Sequence, residues 1–204
     1  LLEHMGMDFS SLMRFRGTSM AGSSAFPMMG TPSLWQEMLP GDNGRLISSL
    51  LEKQYDLVYG SWPTEYNEIV LVLDENNELD DLTLYALGLK SKADIDRVMQ
   101  AALSKEMIEY DVEKWSYEEI CAMDFRTVLN SDCYIYDETT GLYTDLRETN
   151  AGTKYLYDNG LSLKVSGIIR PNEDAVATML TGSIGYTYKL TEYVIEKAKE
   201  APAV

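Results

Sequence analysis

A run of five consecutive apolar residues, Ile69 to Leu73, constrains the fold of this chain more than any other feature. The run lies between Glu68 and Asp74 and is rich in β-branched side chains, which is typical of a β-strand. Successive side chains of a strand point to opposite faces of the sheet, so a strand that is apolar at every position needs cover on both faces. We therefore predict an interior strand with a neighbour on each side.

A second strand is predicted from Leu161 to Ile169, where apolar and polar residues alternate until Pro171 ends the pattern. The alternation indicates one buried face. Local hairpins elsewhere in the chain do not explain how the backbone of the interior strand is satisfied. We therefore expect the segments from Glu68 to Leu73 and from Leu163 to Ile169 to lie in one sheet.

Helices are predicted where apolar residues recur at helical spacing. One runs from Leu79 to Leu87, and we expect it to pack against the sheet. Gly88 is then the first residue past this helix, where a positive φ is common. The same periodicity predicts four more helices: Ser33 to Met38, Arg45 to Gln54, Ala93 to Ser104 and Lys189 to Lys199.

Short strands are predicted through most of the second half of the chain. The segment from Phe125 to Leu129 is β-prone, and Tyr134 to Tyr136 is expected to form a hairpin with Leu142 to Thr144 through Gly141. Gly182 to Gly185 is interpreted as a tight turn before the last helix, because it is too short for a phosphate-binding loop. Helices and strands alternate too irregularly for a doubly wound fold. The predicted class is α+β, with a mixed or antiparallel sheet, a few packed helices and a β-hairpin.

Two regions differ in composition. Residues 1–31 are rich in Met, Gly and Ser and show no sustained period, so we predict a flexible lead-in. The only histidine, His4, lies in this region and has no ligand partners nearby in sequence. Residues 32–204 are predicted to form a single domain, since a chain of 204 residues with 45% hydrophobic residues can bury a core.

The charge of the chain excludes two classes of partner. Acidic residues number 33 against 17 basic ones, and the formal net charge is −16. Such a chain is repelled by phosphate backbones and by anionic lipid headgroups, because no cluster of Lys and Arg offsets the field locally. Nucleic acid is therefore not an expected partner. No stretch approaches the roughly 18 consecutive apolar residues that a membrane-spanning helix needs.

The acidic segments do not complete a catalytic or metal site. Asp74 to Asp80 places oxygen ligands at alternate positions, as in a calcium loop, but Leu79 replaces the required glycine and Tyr85 the required bidentate carboxylate. A solvated turn followed by acids at a helix N-terminus is favoured. Adjacent acids such as Asp80/Asp81 and Glu118/Glu119 do not face one site, since helix neighbours point in different directions.

Nucleophilic and redox chemistry also lack support. The chain has no Gly-x-Ser-x-Gly motif and no histidine base besides His4. Cys121 and Cys133 show no Cys-x-x-Cys spacing, and either one disulfide or two free thiols is compatible with them. We assign no catalytic, cofactor-binding or metal-binding residue, and we do not expect an enzyme.

Tyrosine is frequent, with 14 residues against four phenylalanines. Amphipathic aromatic residues suit half-exposed cores and partner-binding surfaces alike. On the predicted hairpin, Tyr134, Tyr136 and Tyr143 can form a structural cross-strand ladder or a contact surface, and the ladder is favoured.

Several motifs resemble one protein family. The segment from Tyr59 to Asp74, followed by Leu82 to Leu89, is similar to a "G-x-W-P…N-E-V-V-L" run and a "Y-A-L-G-L" motif in large FtsX-type ABC permeases of Gram-positive bacteria. The segment from Val165 to Ala175 resembles their "G-I-I-R-P-N" block. Lys114 to Glu118 and Tyr193 to Glu196 extend the likeness, which covers roughly residues 50–200.

The resemblance implies a MacB-like periplasmic core domain, the extracytoplasmic domain of the permease, and most resembles its inserted β-rich subdomain. Residues 32–204 would then lie on the extracytoplasmic side of the cell membrane. The domain would transmit conformational change from a separate ABC ATPase subunit or handle an exported substrate, without a cofactor. Its partners would be the rest of the permease chain with its transmembrane helices, the ATPase subunit, and a second permease copy or an accessory protein. The alternative is a secreted acidic hydrolase or metal-binding domain.

Overall fold

The computed structural model describes residues 34–91, 93, 94, 97, 114–175 and 178–201. The predicted lead-in and most of the helix predicted from Ala93 to Ser104 lie outside the described residues. The eight strands in this part of the chain are β1 Trp35–Glu37, β2 Tyr55–Gly60, β3 Glu68–Val72, β4 Phe125–Thr127, β5 Tyr134–Asp137, β6 Leu142–Asp145, β7 Leu161–Pro171 and β8 Ile184–Tyr186. The five α-helices are α1 Ser49–Gln54, α2 Asp81–Ala86, α3 Tyr117–Ala122, α4 Asn150–Asn159 and α5 Tyr188–Glu200. The fold is α+β, as the sequence predicts.

Six strands form a mixed sheet with β3 at its centre. The strand order is β1-β8-β3-β7-β2, and β4 pairs with the first part of β7. Strand β3 runs parallel to β7, with Leu71 opposite Ile168, and antiparallel to β8, with Leu71 opposite Ile184. The predicted interior strand is confirmed, and so is the prediction that it shares a sheet with the segment from Leu163 to Ile169; the structure adds that the two strands are direct neighbours.

The two faces of β3 contribute to separate hydrophobic clusters. Ile69 and Leu71 are fully buried on one face, and Val70 is fully buried on the other. Burying a side chain of this size stabilises the fold by about 1.5–3 kcal/mol. The run is apolar at every position because both faces of the strand are covered, as inferred from the sequence.

Helix α2 begins and ends on side-chain and backbone caps. The Asp80 carboxylate accepts a hydrogen bond from the Thr83 backbone N–H at 2.8 Å, which fixes the N-terminus. At the other end Gly88 has a φ of +73° and its N–H donates to the Tyr85 carbonyl at 2.8 Å. The predicted helix is shortened at both ends, but the position of Gly88 after it is confirmed. Leu87 is buried in the same cluster as Ile69, so the helix end packs against the sheet.

Two sequence predictions are wrong because strand pairing overrides the local pattern. The segment from Ser33 to Met38 is not a helix in its described part, since Trp35–Glu37 is a strand that pairs with β8. The segment from Gly182 to Gly185 is not a tight turn, because Ile184 and Gly185 belong to β8. A Cβ on Gly185 would lie 2.9 Å from the side chain of Val70, so the glycine lets β8 approach the central strand.

The other differences concern short helices. The helix predicted from Arg45 begins only at Ser49, where the Ser48 hydroxyl accepts from the Leu50 N–H and caps the N-terminus. Helices α3 and α4 were not predicted from the sequence. Ser116 and Glu119 form a reciprocal capping box at the start of α3, a pattern that the sequence already carries.

Candidate functional site

The motifs that resemble the permease family meet where β2 leaves the sheet. Gly60 lies opposite Gly167 on β7, and a Cβ on Gly60 would lie 2.2 Å from the Ser166 carbonyl oxygen. A Cβ on Gly167 would lie 2.4 Å from the Ser61 carbonyl oxygen. Both glycines therefore serve a close approach of two backbones.

The loop after this crossing is held by hydrogen bonds to the start of β3. The Glu68 carboxylate accepts from the backbone N–H groups of Thr64 at 2.7 Å and Glu65 at 3.1 Å. Partial burial raises the pKa of Glu68, but these hydrogen bonds outweigh it and hold the pKa below its ordinary value. The Asn67 side chain donates to the Ser162 carbonyl at 2.9 Å. These polar groups fix the corner between β2 and β3.

The carboxylates of Asp74 and Asp80, which lie in the segment that resembles a calcium loop, accept hydrogen bonds within the fold. Asp74 accepts from the backbone N–H groups of Asn76 and Glu78, both at 2.8 Å, and closes the turn. Asp80 caps α2 and also accepts from the Ser183 hydroxyl at 2.8 Å. The favoured interpretation, a turn followed by an acid at a helix N-terminus, is confirmed. In the described ranges no group of three or more His, Cys, Asp or Glu side chains is arranged to hold a metal ion.

The remaining sequence candidates are also structural. Glu119 belongs to the capping box of α3. Its carboxylate accepts a hydrogen bond from the Ser116 backbone N–H, and this hydrogen bond lowers the pKa of Glu119. Cys121 and Cys133 are both free thiols, which settles the alternative left open by the sequence, and burial raises the pKa of each. A raised pKa keeps both thiols protonated near neutral pH and therefore weakly nucleophilic.

The β5–β6 hairpin forms a two-stranded sheet of its own. Asp137 accepts from the Thr139 N–H at 2.8 Å and the Thr140 hydroxyl at 2.9 Å, and Gly141 has a φ of +70°. The predicted hairpin, with a positive φ at Gly141, is confirmed. Tyr136 faces Tyr143 with ring centroids 5.1 Å apart, so these two tyrosines form the expected cross-strand pair.

Arg147 anchors the base of the hairpin. Its guanidinium contacts the Asp145 carboxylate at 2.6 Å, donates to the Tyr134 hydroxyl at 2.7 Å and lies over the Tyr134 ring. The hydrogen bonds that Arg147 donates to the Asp145 carboxylate raise the pKa of Arg147, so the guanidinium stays charged. Beneath it, Cys133 and Leu156 form a small buried cluster with Val128. Arg147 thus joins the ends of β5 and β6, and Cys133, which directly precedes β5, packs against Leu156 of α4.

Large apolar side chains remain exposed on this hairpin and on the adjacent helix. The exposed fraction is 67% for Leu142, 47% for Ile135 and 53% for Tyr155. A two-stranded sheet with apolar side chains on both faces is stable on its own only marginally. Contiguous exposed apolar side chains are typical of surfaces that bind a protein, a ligand or a membrane.

A groove of about 500 Å³ separates the hairpin from α4 and the end of α5, and we call it the β5 groove. It brings together residues from three separate segments of the chain, 128–138, 155–160 and 197–201. Its lining residues are Val128, Ser131, Asp132, Tyr134, Ile135, Tyr136, Glu138, Tyr155, Leu156, Asn159, Gly160, Lys197, Glu200 and Ala201. The hairpin tyrosines were predicted from the sequence, but the groove was not. Its second wall is α4, and this helix was not predicted.

Comparisons with known proteins assign no family to this chain. No protein-family model matches it, and neither does any curated protein or solved structure. Among the described helices, none is both long and apolar enough to cross a lipid bilayer.

Proposed function

We propose that this chain is a non-catalytic extracytoplasmic domain of an FtsX-type ABC-transporter permease. In this proposal the domain handles an exported substrate or passes on conformational change that a separate ATPase subunit drives. Its partners are the transmembrane part of the same permease, the ATPase subunit, and a second permease copy or accessory protein.

The observation that supports the proposal is that the resembling motifs belong to one structural unit. The motif from Tyr59 to Asp74 contains β3, and the motif from Val165 to Ala175 contains most of β7, the parallel neighbour of β3. The motif from Leu82 to Leu89 supplies Leu87 to the same buried cluster. Motifs that are inherited together with one fold are expected to share its core, and these three do.

The β5–β6 hairpin is consistent with a coupling role. It forms a separate small sheet with exposed apolar side chains, and the Arg147 contacts and the cluster around Leu156 hold its base. A rigidly based projection with exposed apolar residues can pass force or orientation between the domain and a partner. This role requires no reacting group.

Labelling of intact cells tests the proposal. The native cysteines are replaced (Cys121→Ser and Cys133→Ala), and Leu142→Cys is introduced at the exposed hairpin in the full-length gene expressed in its own host. We expect a membrane-impermeant maleimide to label this cysteine in intact cells and the labelled protein to sediment with the membrane fraction. The matched control is the same protein without Leu142→Cys.

Two results contradict the proposal. Labelling that requires cell lysis would place the domain inside the cell. Labelled protein that is recovered from the medium would favour the alternative, a secreted acidic hydrolase or metal-binding domain. Calorimetric titration of the secreted chain with Ca²⁺ and Zn²⁺ would then test for a metal site.

A further inference from the structure

The β5 groove lies along the outer edge of β5. Tyr134, Ile135 and Tyr136, three consecutive residues of that strand, line it, whereas no residue of β6 does. Because successive side chains of a strand point to opposite faces, a groove lined by all three lies at the edge of the strand and not on one face. Within the described residues β5 pairs with β6 alone. The outer backbone groups of β5 are thus available to a further strand.

The walls and floor of the groove suit an extended peptide segment. Val128 and the buried Leu156 form an apolar floor that belongs to the small cluster beneath the hairpin. Tyr136 on one wall and Tyr155 on the other are exposed by 43% and 53%. Backbone pairing at a free strand edge supplies affinity in such sites, and pockets for alternate side chains supply specificity.

The charge of the groove selects the class of segment. Asp132, Glu138 and Glu200 line it and carry negative charge. Lys197, the one basic residue in its lining as far as the structure describes it, forms an ion pair with Glu200 at 2.9 Å. The lining therefore carries three carboxylates against one ammonium group, and Lys197 also lies within electrostatic reach of Asp132. The remaining negative charge lies next to tyrosine rings, which attract cations. The net charge of −16 for the whole chain adds to this field.

We propose that the β5 groove binds an extended cationic segment of a partner protein, in which Lys or Arg alternates with aliphatic residues, by adding a strand to the edge of β5. The basic side chains lie against Asp132 and Glu138 and the tyrosine rings. The aliphatic side chains contact the floor at Val128 and Leu156. This inference depends only on the groove and holds whether or not the domain belongs to a permease.

Peptide binding to the full chain tests the inference. The probe is a capped hexapeptide of alternating Lys and Val, and the control is the same peptide with Glu in place of Lys. We expect the Lys peptide to bind in low salt, with amide chemical shifts changing at Tyr134 to Tyr136 and around Tyr155, and the Glu peptide not to bind. A Lys peptide with N-methyl groups on alternate backbone nitrogens is expected to lose binding, because it cannot pair with a strand edge.

Matched variants separate the groove from the general acidity of the chain. The double variant Asp132→Asn with Glu138→Gln removes two charges from the groove, and Glu173→Gln with Asp174→Asn removes two exposed charges that are not in its lining. We expect the groove variant to weaken binding roughly ten-fold and the control variant to change it less than about two-fold.

Several outcomes overturn the inference. Equal weakening in both double variants would mean that the peptide senses only net charge, and unchanged binding of the N-methylated peptide would exclude strand addition. Shift changes elsewhere, or no binding at all, would also reject the groove. A dimer of the free chain that the peptide dissociates would assign the groove to a second copy. If the peptide binds only after residues 1–33 are removed from the chain, the groove would be assigned to that segment.

Discussion

The backbone crossing at Gly60 gives the sharpest test of the fold. Gly60 shares a positive φ with two other glycines, but its surroundings differ from theirs. Gly60, Gly44 and Gly88 have φ values of +77°, +79° and +73°. A Cβ on Gly44 or Gly88 would meet nothing within 4 Å, whereas one on Gly60 would lie 2.2 Å from the Ser166 carbonyl oxygen. Comparing alanine at these positions therefore separates backbone strain from steric clash.

The expected magnitudes follow from these two effects. An alanine at positive φ costs about 1–2 kcal/mol, of which about 0.4–1 kcal/mol is recovered because the unfolded chain loses freedom. Gly44→Ala and Gly88→Ala should therefore each cost about 1 kcal/mol. Gly60→Ala adds an overpacking cost of about 1–3 kcal/mol, since the clashing Ser166 carbonyl is backbone and accepts the Ser61 N–H at 2.8 Å, a hydrogen bond that a shift of this carbonyl would weaken. Its total is about 2–4 kcal/mol.

Equilibrium urea denaturation, followed by tryptophan fluorescence, measures these differences at constant m-value. Gly167→Ala is a further control, because its Cβ would lie 2.4 Å from the Ser61 carbonyl oxygen without a positive φ, so it should cost only the overpacking of about 1–3 kcal/mol. A Gly60→Ala midpoint equal to that of Gly88→Ala would refute the close approach of β2 and β7.

Two further predictions concern buried and partly buried polar groups. Tyr55→Phe should lower the free energy of unfolding by about 1–3 kcal/mol. The buried Tyr55 hydroxyl accepts from the Leu180 N–H at 2.8 Å and donates to the Leu180 carbonyl at 3.2 Å, and both hydrogen bonds are lost. An unchanged midpoint in urea denaturation would contradict this prediction. For Glu68 the folded pKa is lowered, so its contribution to stability is present above its ordinary pKa of 4.5 and is lost as the pH falls through the folded pKa. Glu68→Gln should accordingly be less stable than the unmodified chain at pH 7, and this difference should shrink as the pH is lowered below 4.5. A difference that is independent of pH would contradict the prediction.

Local patterns were sufficient where one segment carried enough residues to show a period. Ile69 to Leu73 is apolar at five successive positions, and the segment from Leu161 to Ile169 alternates over nine, so both strands and their burial could be predicted. The hairpin and the end of α2 were predicted because Gly141 and Gly88 mark backbone conformations that other residues rarely adopt. The three-residue strands β1 and β8 are too short to show a period, so their residues were assigned to a helix and a turn.

The sequence by itself determined which segments are buried, since burial depends on the apolar side chains of each segment. Apart from the local β5–β6 hairpin, only the tertiary structure decided which strands are direct neighbours, because backbone N–H and C=O groups are chemically the same in every strand and carry no record of their partner. The β5 groove was likewise decided only by the tertiary structure. Val128, the hairpin tyrosines, Tyr155 and Lys197 are separated along the chain, and packing of α4 and α5 beside β5 brings them together around one charged, apolar surface.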